Sequence, residues 1–223
     1  MKFRVLFLFL FFFLLNILVR GMNQIQAPFY STFAIAIPLE NNTVIFSRLI
    51  FNFAIIMVFA FIMIHNIKQL FLMSPYILPR TSKAQMYWLF VRRTIKHTIW
   101  VVLIKLLADL LTGQLNGLEN MGLFLTLYAS FLLTLTIWLL LIFILYTLNT
   151  GERRTIFIVL GILFLSQYLS VNMISMNVLV VASPSILTNF KVWSVIKVFS
   201  VLLLLLISYG LFKNKEFIGD EKE

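Results

Sequence analysis

Two opposite charges stand four residues apart inside an apolar stretch, Lys105 and Asp109, and on a helix that spacing places them one turn apart on the same face. A charge within hydrocarbon is costly unless it is paired or faces a wet interior. The sequence leaves three readings open: a self-neutralising pair, an ion pair to a neighbouring segment, or a substrate-facing or proton-coupled group. Thr126, Ser130 and Thr134 form a second polar stripe at four-residue spacing, with Thr136 nearby, and read either as helix-packing hydroxyls or as a polar transport wall.

Other chemistry lacks its residues. There are no cysteines, which removes disulfides, thiolate metal sites and a thiol nucleophile. The histidines are His65 and His97, with no His-Glu-x-x-His pair, and His97 reads as an interfacial side chain rather than a ligand. Neither a Gly-rich phosphate loop ending in Lys-Ser/Thr nor a Gly-x-Ser-x-Gly elbow occurs. Asp109 is the sole acid within the apolar runs, so an intramembrane carboxylate dyad is missing. The expectation is a chain that is not itself an enzyme and that holds no cofactor or metal.

The elements that must position these residues are six apolar runs, at about 3–19, 44–64, 97–115, 121–148, 154–172 and 192–212. Each approaches the ~20 residues needed to cross a ~30 Å hydrocarbon layer. With 61% hydrophobic residues and 24 phenylalanines in 223 positions, the chain has too little polar surface to cover a water-soluble globule. The predicted fold is all-α: one polytopic membrane domain, 1–223, with six transmembrane helices.

The net charge of +10 follows the topology rather than a nucleic-acid stripe. With the amino terminus in the cytoplasm, thirteen of the eighteen basic residues fall on that side: Lys2 and Arg4, the group from Lys68 to Lys96, Arg153, Arg154 and the three tail lysines. This is the positive-inside bias, and it predicts both termini in the cytoplasm. The opening Met1-Lys2-Phe3-Arg4 and its apolar run imitate a secretory signal, but no small-x-small cleavage site follows, so the run reads as a retained span.

Between the second and third runs lies Ser74-Pro75-Tyr76-Ile77-Leu78-Pro79-Arg80-Thr81-Ser82-Lys83, where two prolines predict a bend. Residues 84–96 then interleave Tyr87, Trp88, Phe90 and Val91 with Arg92, Arg93 and Lys96, and predict a helix resting at the membrane interface. That helix serves equally as an anchor to anionic lipid or as a docking surface for a soluble subunit. Residues 172–190, including Asn177, Val178 and Pro184, are too apolar for an ordinary loop and too short to cross twice, so a short external helix or re-entrant hairpin is expected. Lys197, near the start of the last run, reads as snorkelling to the external boundary.

The whole-chain layout resembles the small permease subunits of bacterial ABC-type exporters, in the six-span class that includes bacteriocin or lantibiotic export and immunity systems. Both ends cytoplasmic, the connection Tyr76 to Lys83 followed by Tyr87-Trp88, and the apolar element before the last span carry the likeness. The resemblance implies a half-transporter in a bacterial plasma membrane, working as a homodimer or a heterodimer with another permease chain. A separate subunit would bind ATP and magnesium. Ser74, Pro75, Tyr76, Arg80, Lys83, Tyr87 and Trp88 would form the coupling loop, and the cargo would be a hydrophobic or amphipathic peptide or a drug. Lys105 and Asp109 are not a mark of that family. A non-transporting immunity or scaffold protein and an ion-coupled transporter using Lys105 and Asp109 are the alternatives.

Overall fold

The structure is a computed structural model, and it describes residues 2–23, 42–77, 81–113, 121–148, 151–172, 178–181 and 189–214. Among these residues every regular element is a helix, apart from a single short turn at Val178. The long helices are α1 (Lys2–Asn23), α2 (Asn42–Ile77), α3 (Lys83–Leu111), α4 (Met121–Thr147), α5 (Gly151–Asn172) and α6 (Phe190–Lys213).

Sequence and capping chemistry fix where these helices begin and end. At the start of α3, Gln85 N donates to Ser82 Oγ (3.3 Å) while Ser82 N donates to Gln85 Oε1 (3.1 Å), so a reciprocal capping box satisfies two amides that the helix leaves unpaired. Its far end closes at Thr112, whose amide donates to Ala108 O at 3.0 Å, and at Gly113, which takes φ 68°. A side chain at that φ would meet its own carbonyl, which is why glycine ends helices in this way. In the apolar interior of α4, Thr134, Thr136 and Thr147 return their hydroxyl protons to carbonyls four residues back, so burying them leaves no donor unmatched.

Successive helices run in opposite directions. Late α1 (Asn16) meets early α2 (Phe51, through Lys105), late α3 (Asp109) and early α4 (Tyr128) at one end. Late α2 (Phe71), early α3 (Phe90), late α4 (Phe143) and late α6 (Phe212) meet at the other. Helix α4 lies at the centre and touches α2, α3, α5 and α6, while α1 lies against α2 and α3. Trp138, Phe131 and Phe143 of α4 are fully enclosed. The end holding Phe143 also carries the basic residues Arg92, Arg93, Lys96 and Lys213 and is the basic end of the bundle.

Among the described residues three helical stretches are long and apolar enough to cross a membrane: Ile50–Met73, Phe124–Thr147 and Lys191–Lys213. Val5–Leu18 is a shorter apolar stretch of the same kind. The exposed surface suits hydrocarbon better than water, with Leu6, Leu10 and Leu14 on α1, Phe157 and Phe164 on α5, and Phe199, Leu202 and Leu206 on α6 all facing outward.

Two predicted boundaries move. Helix α2 continues through Ser74, Pro75 and Tyr76 to Ile77, past the predicted end of the second run, and Pro79 of the predicted bend lies outside the described residues. The φ that proline imposes is helical, and in the last turn its missing amide costs only one bond that a fraying end holds weakly. The interfacial helix expected over 84–96 and the span expected from 97 are one continuous helix of 29 residues, with Met86, Tyr87, Phe90, Val91 and Thr94 buried against the bundle. Of the external element expected over 172–190, 173–177 and 182–188 lie outside the described residues, and residues 178–181 pack inward.

Candidate functional site

The bundle buries two lysines at the end opposite the basic one, and it treats them differently. Lys105 and Asp109 are both 0% exposed, and their ammonium and carboxylate meet at 2.5 Å. Asn16, reaching across from α1, donates to Asp109 Oδ1 at 2.7 Å and to Thr112 Oγ1 at 3.2 Å, while its own oxygen accepts from Lys105 Nζ at 3.4 Å. The Tyr128 hydroxyl of α4 donates to Asp109 Oδ2. The Lys105 ammonium also lies 5.6 Å from the centre of the Phe51 ring on α2, within cation–π range. One i,i+4 pair thereby gathers groups from four helices, and both carboxylate oxygens are used.

Lys197 of α6 is equally enclosed, so it does not snorkel as its position near the run's start predicts. Its ammonium donates to Thr134 Oγ1 (2.7 Å), Ser130 Oγ (2.8 Å) and Val180 O (3.1 Å). Among the described residues it meets no carboxylate. The polar stripe of α4 is therefore split: Ser130 and Thr134 hold the lysine, whereas Thr126 returns its proton to Gly122 O. Residues 178–181 complete the cradle, with Trp138 Nε1 donating to Leu179 O (2.9 Å) and Val181 N donating to Asn52 Oδ1 (3.0 Å).

At the basic end an aromatic cluster joins the helices, with polar contacts beside it. Phe143 stacks on Phe90 with ring centres 4.3 Å apart and approaches Phe212 at 5.7 Å and Phe71 at 6.1 Å. Tyr87 belongs to this cluster, 5.2 Å from Tyr209, and its hydroxyl shares a 2.7 Å hydrogen bond with Ser208. Burial raises the Tyr87 phenol above its ordinary pKa, against the opposing effect of the Ser208 hydrogen bond. Beside the cluster, Lys68 of α2 meets Glu152 of α5 at 2.5 Å.

The residues expected in the coupling loop are thus separated. Tyr87 is 1% exposed and belongs to the core, while Trp88 is 58% exposed and faces outward. Lys83 opens α3, Ser74, Pro75 and Tyr76 lie in the last turn of α2, and Arg80 falls outside the described residues. Of the external apolar element, Val178 is described and half-buried, whereas Asn177 and Pro184 lie outside the described residues.

A cleft of about 670 Å3 opens between α1, α2 and α3 toward the basic end. Arg93, Lys96 and His97 line one part with Asn66 and Gln69, and Leu8, Met63, Val101 and Ile104 line the remainder. Sequence reasoning finds its cations as a cluster but not its apolar half, because Leu8 and Met63 reach it from helices far away in the chain. Asn16, Asn52 and Tyr128 were likewise passed over: each is a single polar residue in an apolar run, and the signal that finds them is that such a residue needs a partner.

Among the described residues no group of three His, Asp or Glu side chains is placed to hold a metal ion. No family model matches the chain, and neither a curated protein nor a solved structure does.

Proposed function

We propose that this chain is the membrane-embedded permease subunit of an ATP-driven exporter of the ABC type, crossing the bilayer six times with both termini in the cytoplasm. The observation that carries the reading is the α2–α3 hairpin. At 36 and 29 residues these helices are long beside the hydrocarbon layer. Their lengths correspond to about 54 Å and 43 Å, against ~30 Å of hydrocarbon. In this reading the excess length carries the end of α2 and the start of α3 beyond the hydrocarbon at the basic end, where Trp88 and Arg92 are exposed and Lys83 opens α3.

Such an elbow suits a soluble ATP-binding partner that holds the nucleotide and magnesium, and a second permease chain, identical or not, would complete the path. The cargo that fits so apolar a bundle is a hydrophobic or amphipathic peptide or a drug. Converting Arg80 and Lys83 to Glu, together with Trp88→Ala, is expected to reduce copurification of the ATPase and ATP-dependent efflux by roughly tenfold, equivalent to ~1.4 kcal/mol of docking energy, while insertion is unchanged. Unaltered association and efflux would refute the elbow's role.

A non-transporting immunity or scaffold protein is the second reading, and the closed ion pair supports it, because Lys105 and Asp109 satisfy one another instead of facing a passage. Protection of cells lacking every candidate ATPase would select it. The same closed pair weighs against an ion-coupled transporter, which requires flux to vanish in the Lys105→Met, Asp109→Leu double variant.

A further inference from the structure

The cleft between α1, α2 and α3 takes no part in either lysine cluster. Its volume of about 670 Å3 is that of a ligand site, within the roughly 300–1,000 Å3 such sites occupy. Its chemistry is divided lengthwise. Arg93, Lys96 and His97 stand toward one end, Leu8, Met63 and Ile104 form much of the wall, and among the described residues no carboxylate lines it.

The dimensions name the occupant. From Arg93 to Ile104 helix α3 rises about 16 Å, and one leaflet of a bilayer is about 15 Å deep. A molecule with its anion on Arg93 and Lys96 and a chain along this wall is matched at both ends. We infer that the cleft binds an anionic phospholipid from the leaflet at the basic end, with its phosphate at Arg93 and Lys96 and one acyl chain descending past Leu8, Met63 and Ile104. An acidic peptide satisfies the cations but leaves a leaflet's depth of apolar wall uncovered. A zwitterionic lipid covers the wall but carries its own countercharge to the cations. The assignment is independent of any ATPase.

The test uses the full-length protein, stripped of lipid in mild detergent and titrated by native mass spectrometry with phosphatidylglycerol and phosphatidylcholine of the same acyl chains. Wild type is expected to retain phosphatidylglycerol preferentially. The Arg93→Gln, Lys96→Gln variant removes two exposed charges and should weaken that binding roughly 30-fold, with phosphatidylcholine little changed. Val5→Trp narrows the mouth of the cleft at a partly exposed position with the charges intact, and should weaken it as well, circular dichroism reporting an unchanged fold in both variants. Equal retention of the two lipids by wild type, undiminished binding in Val5→Trp, release of the lipid by inorganic phosphate alone, or preference for an acidic amphipathic peptide would each overturn the assignment.

Discussion

Lys105 and Lys197 are both buried in the half of the bundle away from the basic end, yet one is neutralised by a carboxylate and the other is held by hydroxyls and a carbonyl. The difference shows what each site is built to tolerate. Around Lys105 the charges depend on each other, and loss of either leaves its partner stranded in a medium that cannot solvate it. Around Lys197 the hydroxyls have other partners: the single Thr134 proton has Ser130 O at 2.9 Å and Val180 O at 3.2 Å as acceptors, and Ser130 Oγ has Val181 O at 3.5 Å, so the cradle survives without its cation.

The contrast is easiest to break at Asp109. Asp109→Ala should destabilise the bundle by about 3–5 kcal/mol in mixed-micelle unfolding followed by circular dichroism, because Lys105 is then buried without its countercharge. Removing both charges in Lys105→Met, Asp109→Leu should cost less than that single change, about 1–3 kcal/mol, set by the polar partners Asn16 and Tyr128 that remain. Double-variant coupling near zero would mean that the two charges do not depend on one another.

A smaller effect is expected at the second lysine. Lys197→Met should cost about 1 kcal/mol or less, since Thr134 keeps its bond to Ser130 O within α4 and Ser130 Oγ keeps Val181 O at 3.5 Å. A loss matching that of Asp109→Ala would erase the distinction between the sites. The aromatic end gives the smallest change. Tyr87→Phe should cost about 1 kcal/mol through its bond to Ser208. Because the folded phenol holds its proton more tightly than the unfolded one, its contribution is complete below the ordinary tyrosine pKa of 10.0 and declines above it. Tyr87→Phe should therefore flatten the alkaline limb of the stability profile.

Much of this was legible in the chain, and the remainder failed for identifiable reasons. Lys105 and Asp109 share a helix, so their spacing alone places them together, and the apolar runs announce the helices. Asn16 was not legible as their partner, because it meets Asp109 across 93 positions of sequence and no local period reports such a contact. Lys197 was read outward since a lysine near the end of a run can usually reach water; the inward turn of residues 178–181, which supplies Val180 O, reverses that choice. Tyr87 and Trp88 look alike as neighbours, but successive residues on a helix point about 100° apart, and only packing decides which one faces in.

Phe143 touches rings from three other helices, Phe71, Phe90 and Phe212. Rings in such contact slide poorly past one another, so a torque applied to α2 and α3 at the basic end is shared among four helices at once. The far end of the bundle, joined by directional bonds, would have to absorb the rotation. A rotation begun at the basic end would thus be registered first as strained angles around two ammonium groups.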